Sequence, residues 1–367
     1  MAAGVTLLHH AGAARAIVEG TSPDGVPCAA GVFVETKAGR RAVLARCVID
    51  ATGDGIVAAQ SGVPWEQGDG LHPYAMACTK VFRMGNAFWP GNWPEEAAME
   101  KVAKGLAAAV RQGDYDSPVI TEQNRLLGYV RGRHWELPEH RHETLSVISR
   151  VLAVDPLDPF DLTRAEREGR EQARQAVDVY RRHVPGFERA FLADTSAHLG
   201  VRSSRRLHGL ATVTAEDAIR FRKHPDAIAR SSWEIDVWPA DSYTAPAVDR
   251  STPEWRHRRD RLIAGEFFDI RYGCLVATGL DNLLMAGRCL SAEHLAQASL
   301  RIQQTCMATG EAAGVAAALS VRAGVPPRAL DPLAVAAAVR ADCAAVEPAF
   351  ECLRNLPTAG RHGGASP

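Results

Sequence analysis

The chain has 367 residues, 46% of them hydrophobic, which is enough for two domains with substantial cores. Its 42 Lys and Arg residues nearly balance 43 Asp and Glu residues, so no long-range field favours nucleic acid or an anionic membrane as a partner. The sequence shows no run of about 18 apolar residues and no basic segment followed by an apolar core at its start, so we expect a globular, cytoplasmic protein.

The cysteines indicate no metal site. They are scattered with no CxxC pair, which argues against a zinc site or a local iron–sulfur cluster. We expect most of them to be buried thiols that pack as small apolar groups. They are Cys28, Cys47, Cys78, Cys274, Cys289, Cys306, Cys343 and Cys352.

The first 55 residues read as short strands separated by turns, because β-branched runs stop at Gly and Asp. This pattern predicts a small meander that feeds a central sheet. The last strand, residues 45–51, is apolar at nearly every position, which is typical of a strand covered on both faces.

The sequence pattern of residues 65–265 predicts a mixture of strands and helices. It contains an apolar strand candidate (AMACTKVFRM) and charged helical stretches around residues 95–112 and 164–183. Thr214 and Asp217 follow at the spacing of a capping box, with Asp in place of the usual Glu or Gln. The segment predicts a second domain.

In the last third of the chain, the segment FFDIRYGCLVATGLDNLLMAGRCL again predicts strands, with a turn at TGLDN. A long helix of small residues is predicted from about Thr305, and an Ala-rich helix follows in DPLAVAAAVRAD. The Gly/Ser/Pro-rich residues 356–367 predict a flexible tail.

A candidate ligand seat lies where the strand NLLMAG ends at Gly287 and Arg288. The helix predicted from Thr305 offers unpaired N–H groups at its start, and Gly310 and Ala313 leave room for close approach. Such a helix could face an electron-rich ring edge or a phosphate. Tight packing of helix against sheet explains the small residues equally well.

A second candidate is GDGIVA, which fits the dinucleotide fingerprint GxGxxA after a strand and predicts an NAD-dependent dehydrogenase. The carboxylate of Asp54 would crowd a pyrophosphate there, and Gly62 and Pro64 interrupt the helix that follows. This interpretation is therefore the weaker one.

Three segments resemble the FAD-dependent oxidoreductase family of two-domain flavoproteins. They are VIDATGDGIVAAQSGVP, LGVRSSRRLHG and DNLLMAGRCLSAEHLAQASLRIQQTCMATGEAAGVAAAL, which span most of the chain in order. The resemblance implies an α/β fold with a three-layer, Rossmann-like FAD-binding domain formed by residues 1–64 and 266–340. A mixed α+β substrate domain, residues 65–265, would be inserted between them.

The resemblance also implies which residues hold the cofactor. Thr52, Gly53 and Asp54 would lie near the nucleotide half of FAD, and Gly287 and Arg288 beside the flavin. The helix that begins near Thr305 and carries Gly310 and Ala313 would point its N-terminus at the flavin ring, where reduction builds negative charge.

The substrate side is expected to use cationic and titratable residues. His294, predicted in the loop before that helix, could act as an acid or base near neutral pH, although a hydrogen-bonded loop histidine is an equal alternative. Arg202 could bind a carboxylate, although a salt-bridged surface strand also explains an Arg cluster. The family pattern usually has an acidic residue where this chain has Ser203 or Ser204. The full set of candidates is Arg202, Arg205, Arg206, Tyr272, His294 and Arg301.

The strand, GxGxxG turn and helix that seat the diphosphate in such flavoproteins do not appear in the sequence, so we expect the domain to be incomplete at its N-terminus. The predicted function is hydride transfer from an unidentified small molecule to FAD. A redox partner such as an iron–sulfur protein would then receive the electrons. The alternative is a truncated, non-catalytic flavoprotein remnant or an interaction subunit.

Overall fold

The computed structural model describes residues 4–70, 72, 74, 76–88, 113, 134–137, 140–147, 149–183, 186–238 and 252–341. Several small sheets and interspersed helices confirm the α/β class that the sequence predicts. The three-layer arrangement and the inserted substrate domain stay predictions. The helix predicted over residues 95–112 and the tail predicted over 356–367 lie outside the described residues.

The elements are numbered in chain order. The strands are β1 (Ala11–Thr21), β2 (Pro27–Thr36), β3 (Gly39–Leu44), β4 (Val48–Asp50), β5 (Trp65–Glu66), β6 (Phe82–Gly85), β7 (His134–Leu137), β8 (His140–Ser146), β9 (Phe191–Thr195), β10 (Arg206–Leu207), β11 (Ala227–Ser231), β12 (Phe268–Arg271) and β13 (Leu283–Met285). The helices are α1 (Ile56–Gln60), α2 (Pro159–His183), α3 (Ala215–Arg220), α4 (Pro253–Ile263), α5 (His294–Leu300), α6 (Gln303–Ala323) and α7 (332–341).

The chain divides into two compact units. The first unit comprises residues 1–65, 206–234 and 261–367, and the second comprises residues 66–205 and 235–260. This division differs from the predicted domains at residues 206–234, because β11 pairs with β12 and so joins this segment to the first unit. No described helix is long and apolar enough to cross a membrane.

The first unit contains the predicted meander, in which β2 pairs antiparallel with β1 and with β3. It also contains a parallel pair, because Leu283 to Met285 of β13 lie beside Val48 to Asp50 of β4. Small side chains let these layers pack closely in one core cluster. Its members include Ala16, Ala29, Val48, Val57, Leu207, Leu283 and Met285.

The prediction that residues 45–51 are covered on both faces is wrong. Val48 and Asp50 are buried, but Ile49 between them is 36% exposed. Side chains alternate between the two faces of a strand, so one face of β4 meets the core and the other stays open in this structure.

The predicted capping box at the start of α3 is confirmed. The Thr214 hydroxyl accepts a hydrogen bond from the Asp217 N–H at 3.1 Å, and the Asp217 carboxylate accepts one from the Thr214 N–H at 2.9 Å. Two backbone donors at the helix start are thereby satisfied. The small-residue helix is confirmed as α6, which begins two residues before Thr305 and ends at Gly324 with φ of 67°.

The second unit contains a sheet of four antiparallel strands in the order β7, β8, β6, β9. The predicted helical stretch 164–183 is confirmed as part of α2. At Gly169 of α2 a Cβ would lie 2.7 Å from the Cβ of Lys80, so glycine permits this close packing. The fully buried Lys80 ammonium pairs with Glu166 at 2.6 Å.

Candidate active site

A buried carboxylate organises the turn that follows β4. Asp50 accepts hydrogen bonds from the N–H and hydroxyl of Thr52 and from the N–H of Ala58, all within 3.0 Å. The Thr52 hydroxyl in turn accepts the N–H of Ile56. These bonds compensate the burial of the charge and fix the path of the turn. Thr52, predicted to bind cofactor, therefore has its hydroxyl engaged in the turn.

The end of β4 meets the end of β13 because the two strands are parallel neighbours. An Arg288 guanidinium N–H donates to Asp54 at 2.6 Å, and the guanidinium lies against Gly53. A Cβ at Gly53 would lie 2.5 Å from Arg288 Nη1, so the guanidinium would have to shift, and the φ of 76° at Gly53 favours glycine. Gly53, Asp54, Gly287 and Arg288 form what we call the β4–β13 corner.

Backbone contacts hold the β13 side of the corner. Gly287 has φ of 81°, and its N–H donates to the buried Thr309 hydroxyl at 3.1 Å. The side-chain amide of Gln297 donates to the Arg288 carbonyl at 2.8 Å. Arg288 therefore has a restrained backbone, while its side chain reaches across to Asp54.

Helix α6 lies beside Gly287, where a Cβ would come within 3.8 Å of the Cys306 thiol. Thr305 and Ala313 are buried, and Gly310 is half-buried. At Gly310 no described atom of another element lies within 4 Å of where a Cβ would be. The small residue is thus not explained by a close packing partner among the described residues.

Two thiols flank this region and are protonated at neutral pH. Burial raises the pKa of Cys289 to about 12. Burial also raises the pKa of the half-buried Cys306, against the opposing effect of Arg288. Neither thiol is therefore a ready nucleophile. Among the described residues, no group of three or more His, Cys, Asp or Glu side chains could hold a metal ion.

The prediction that His294 lies in a loop is wrong, because it is the first residue of α5. Arg301 caps the same helix seven residues later, with αR backbone angles. Seven residues are about two helical turns, so the two residues lie on the same side of the helix, roughly 10 Å apart along its axis. The helix thus presents a titratable group and a cation on one side.

Tyr272 and Arg202, two other predicted residues, each donate a hydrogen bond to a backbone carbonyl. Tyr272 is buried, and its hydroxyl donates to the Pro327 carbonyl at 2.8 Å. Burial raises the pKa of this phenol. The predicted substrate contact of Tyr272 stays a prediction. Arg202 belongs to the second unit, where it donates to the Ala77 carbonyl at 2.6 Å and lies 5.2 Å from the Trp238 ring.

The other two arginines of the cluster, Arg205 and Arg206, differ in burial. Arg205 is half-buried and Arg206 is buried at the start of β10. Ser203 and Ser204 beside them are buried too. A solvent-exposed, salt-bridged strand therefore does not describe this segment.

The geometry does not favour the fingerprint GDGIVA as a dinucleotide site. Helix α1 has five residues, and the left-handed Gly55 that precedes it provides no side-chain cap. The carboxylate of Asp54 stands at the turn and pairs with Arg288. A negative charge at a one-turn helix disfavours a pyrophosphate.

Sequence reasoning missed three residues that shape the corner: Asp50, Gln297 and Thr309. A carboxylate that ends an apolar strand was a usable signal for Asp50, because a buried charge needs donors nearby. Gln297 and Thr309 are ordinary polar residues on helices. Only the fold shows that they bond to the backbone of Arg288 and Gly287.

A comparison with protein families matches residues 1–341 to the family described as FAD dependent oxidoreductase. No curated protein and no solved structure matches the chain significantly. The family match spans far more than half of the 367 residues and confirms the resemblance found in the sequence motifs. The chain belongs to the FAD-dependent oxidoreductase family, and its cofactor is FAD.

Proposed function

We propose that the chain binds FAD non-covalently at the β4–β13 corner and uses it to accept a hydride from a small-molecule substrate. The observation that carries this proposal is the convergence of Gly53, Asp54, Gly287 and Arg288, which lie in two separate family-like motifs. The carboxyl ends of neighbouring parallel strands are where α/β folds place their ligands.

The residues present fit such a cofactor. Arg288 Nε is buried and has no hydrogen-bond partner among the described residues, so one donor of the guanidinium stays available for a ligand acceptor. The Cβ position of Gly287 lies 3.8 Å from the Cys306 thiol, and Gly310 follows Cys306 by four residues, on the same face of α6. A cationic donor without a hydrogen-bond partner, next to glycine backbone, suits a ligand that has many acceptors and negative charge.

The cofactor supplies a two-electron acceptor for hydride. In this proposal Arg288 provides positive charge that favours the additional negative charge of the reduced cofactor. Gly53 leaves room for the Arg288 guanidinium, and Asp50 and Thr309 hold the two turns in place.

The substrate side of the proposal rests on α5. His294 would take up the proton released when the substrate is oxidised, and Arg301 would bind an anionic group of the substrate. Arg202 stays a candidate for a substrate carboxylate from the second unit. The electrons would leave to a separate redox partner, for which we propose an iron–sulfur protein.

The direct test is the absorbance spectrum of the natively purified chain after mixing with FAD and desalting. We expect flavin bands to survive desalting in the wild type and to weaken in Arg288→Ala. Arg40→Ala serves as the matched control, because Arg40 pairs with Glu35 on the exposed face of the meander of the same unit. Bands that are equally strong in all three proteins would remove Arg288 from the site.

The alternative of a non-catalytic remnant or interaction subunit makes the opposite prediction. A wild-type chain that is folded by circular dichroism, ignores added FAD and stays colourless would support it over the enzyme. Retention of NAD without any flavin spectrum would instead support the dehydrogenase alternative.

A further inference from the structure

We infer that Asp54 is a positioning residue for Arg288. It holds the guanidinium over Gly53 and limits the positive charge that the corner exerts on the cofactor. The inference rests on the proposed function and adds a specific residue to it. The family resemblance implies only that Asp54 lies near the nucleotide half of FAD, and the inference gives it a role there through Arg288.

The three nitrogens of the Arg288 guanidinium have different surroundings. Nη2 donates to Asp54 at 2.6 Å, and the Nη1 side packs on Gly53. Nε is left without a partner among the described residues. An arginine that is held by one edge and one face has few rotamers left, so its remaining donor points in a defined direction. Asp54→Asn removes the charge but still offers an amide oxygen that can accept the Nη2 hydrogen bond.

The ion pair of Asp54 and Arg288 also determines the charge near the cofactor. Asp54 and Arg288 are each about two-thirds buried, at 32% and 28% side-chain exposure, so water screens their field only partly. A positive and a negative charge at 2.6 Å act on a third group mainly as a dipole. The cofactor would therefore feel a weaker positive potential than a lone arginine would impose.

The redox test compares the midpoint potential of FAD bound to wild type, Asp54→Asn, Asp54→Glu and Glu35→Gln. Asn keeps the size of Asp54 and removes its charge, so we expect at least a tenfold shift of the redox equilibrium towards reduced FAD. That is about 30 mV upward for a two-electron couple. Asp54→Glu should return towards the wild-type potential.

Glu35→Gln is the matched control, because Glu35 also pairs with an arginine at 2.6 Å in the same unit, but on an exposed surface. It should leave the potential unchanged. An Asp54→Asn shift that is no larger than this control, or that runs downward, overturns the inference.

A second measurement separates this inference from the proposed function, because it needs no FAD. A double-mutant cycle of Asp54→Asn and Arg288→Gln, measured by urea unfolding of the cofactor-free chain, should show coupling of about fivefold or more in the folding equilibrium constant. The exposed pair Glu35→Gln and Arg40→Gln should show less.

Equal coupling in the two cycles overturns the inference, whatever the chain does with FAD. A chain that takes up no FAD refutes the proposed function and the redox part of the inference. The cycle still decides whether Asp54 holds Arg288.

Discussion

The guanidinium of Arg288 lies against Gly53, in a contact between residues 235 positions apart in the sequence. Two requirements meet at Gly53, a left-handed φ of 76° and the absence of a Cβ. The first requirement belongs to the turn after β4, and the second belongs to Arg288. They can be measured separately, because Gly25 of the same unit shares only the first.

We expect Gly53→Ala to destabilise the chain more than Gly25→Ala. Gly25 has φ of 77° but no described atom within 4 Å of its Cβ position, so its substitution measures backbone strain alone, about 1 kcal/mol. Gly53→Ala carries the same strain and must also displace Arg288, for a total of roughly 2–3 kcal/mol. Urea unfolding of both variants gives the difference. Equal losses would mean that Arg288 moves aside freely.

Arg288→Ala should lower the midpoint potential of the bound FAD, because a positive neighbour of the reduced cofactor is lost. The expected sign is opposite to that of Asp54→Asn, and the comparison protein is Arg40→Ala. Reductive titration against a dye of known potential makes the measurement. An unchanged potential would exclude Arg288 from direct contact with the flavin.

The residues of the corner were accessible from the sequence, but their interactions were not. Gly53, Asp54, Gly287 and Arg288 stand in motifs, and the parallel pairing of β4 with β13 brings those motifs together. The ion pair and the packing on Gly53 depend on the register of strands that are far apart in the chain. No local pattern encodes that register, so the sequence gives no sign of the bond between Asp54 and Arg288.

At the scale of elements, local signals were reliable where the interaction is local. The capping box at Thr214 involves neighbours within a few residues, and it is found in the structure. Two predictions were wrong: that the strand at β4 is covered on both faces, and that His294 lies in a loop. Burial and the start of α5 depend on distant segments.

We expect Thr214→Ala to lower the free energy of unfolding by about 1 kcal/mol, since α3 then loses the acceptor for the Asp217 N–H. Thr214→Ser keeps the hydroxyl and should lose much less. Both are measured by urea unfolding. A loss in Thr214→Ser as large as that in Thr214→Ala would assign the effect to the methyl group instead of the cap.

In the second unit, we expect Glu166→Gln to destabilise strongly. Glu166 of α2 pairs with the fully buried ammonium of Lys80, so its neutralisation leaves a buried charge without an anionic partner, which costs about 3 kcal/mol. Glu171→Gln on the same helix breaks an exposed pair with Arg174 and should cost under about 1 kcal/mol. Thermal or urea unfolding compares the two. Similar losses would mean that water reaches Lys80.

At the scale of the whole molecule, we expect stability at alkaline pH to depend on thiols of the first unit that are buried or half-buried. Burial raises the pKa of Cys47 to about 11 and that of Cys274 and Cys289 to about 12. The sequence predicted that most cysteines are buried, whereas of the described ones Cys78, Cys274 and Cys289 are buried and Cys28, Cys47 and Cys306 are half-buried. The neutral thiol is the form that the folded core accepts.

The sign of the pH effect follows from which state loses its proton first. Below the unfolded pKa of about 8.5 both states are protonated, and these thiols add no pH dependence. Above it the unfolded chain ionises while the folded chain keeps its protons, so stability falls by about 1.4 kcal/mol per pH unit for each such thiol. The fall continues until the folded pKa values of about 11 and 12 are reached.

We therefore expect the free energy of unfolding to decline steeply between about pH 9 and 11, and the decline to be shallower in Cys274→Ala by about 1.4 kcal/mol per pH unit. Urea unfolding at several pH values, under reducing conditions, measures both slopes. Cys274→Ala also leaves a small cavity, but that loss is independent of pH and changes only the offset of the curve. A variant whose slope equals that of the wild type would show that the Cys274 thiol ionises as readily in the folded core as in the unfolded chain.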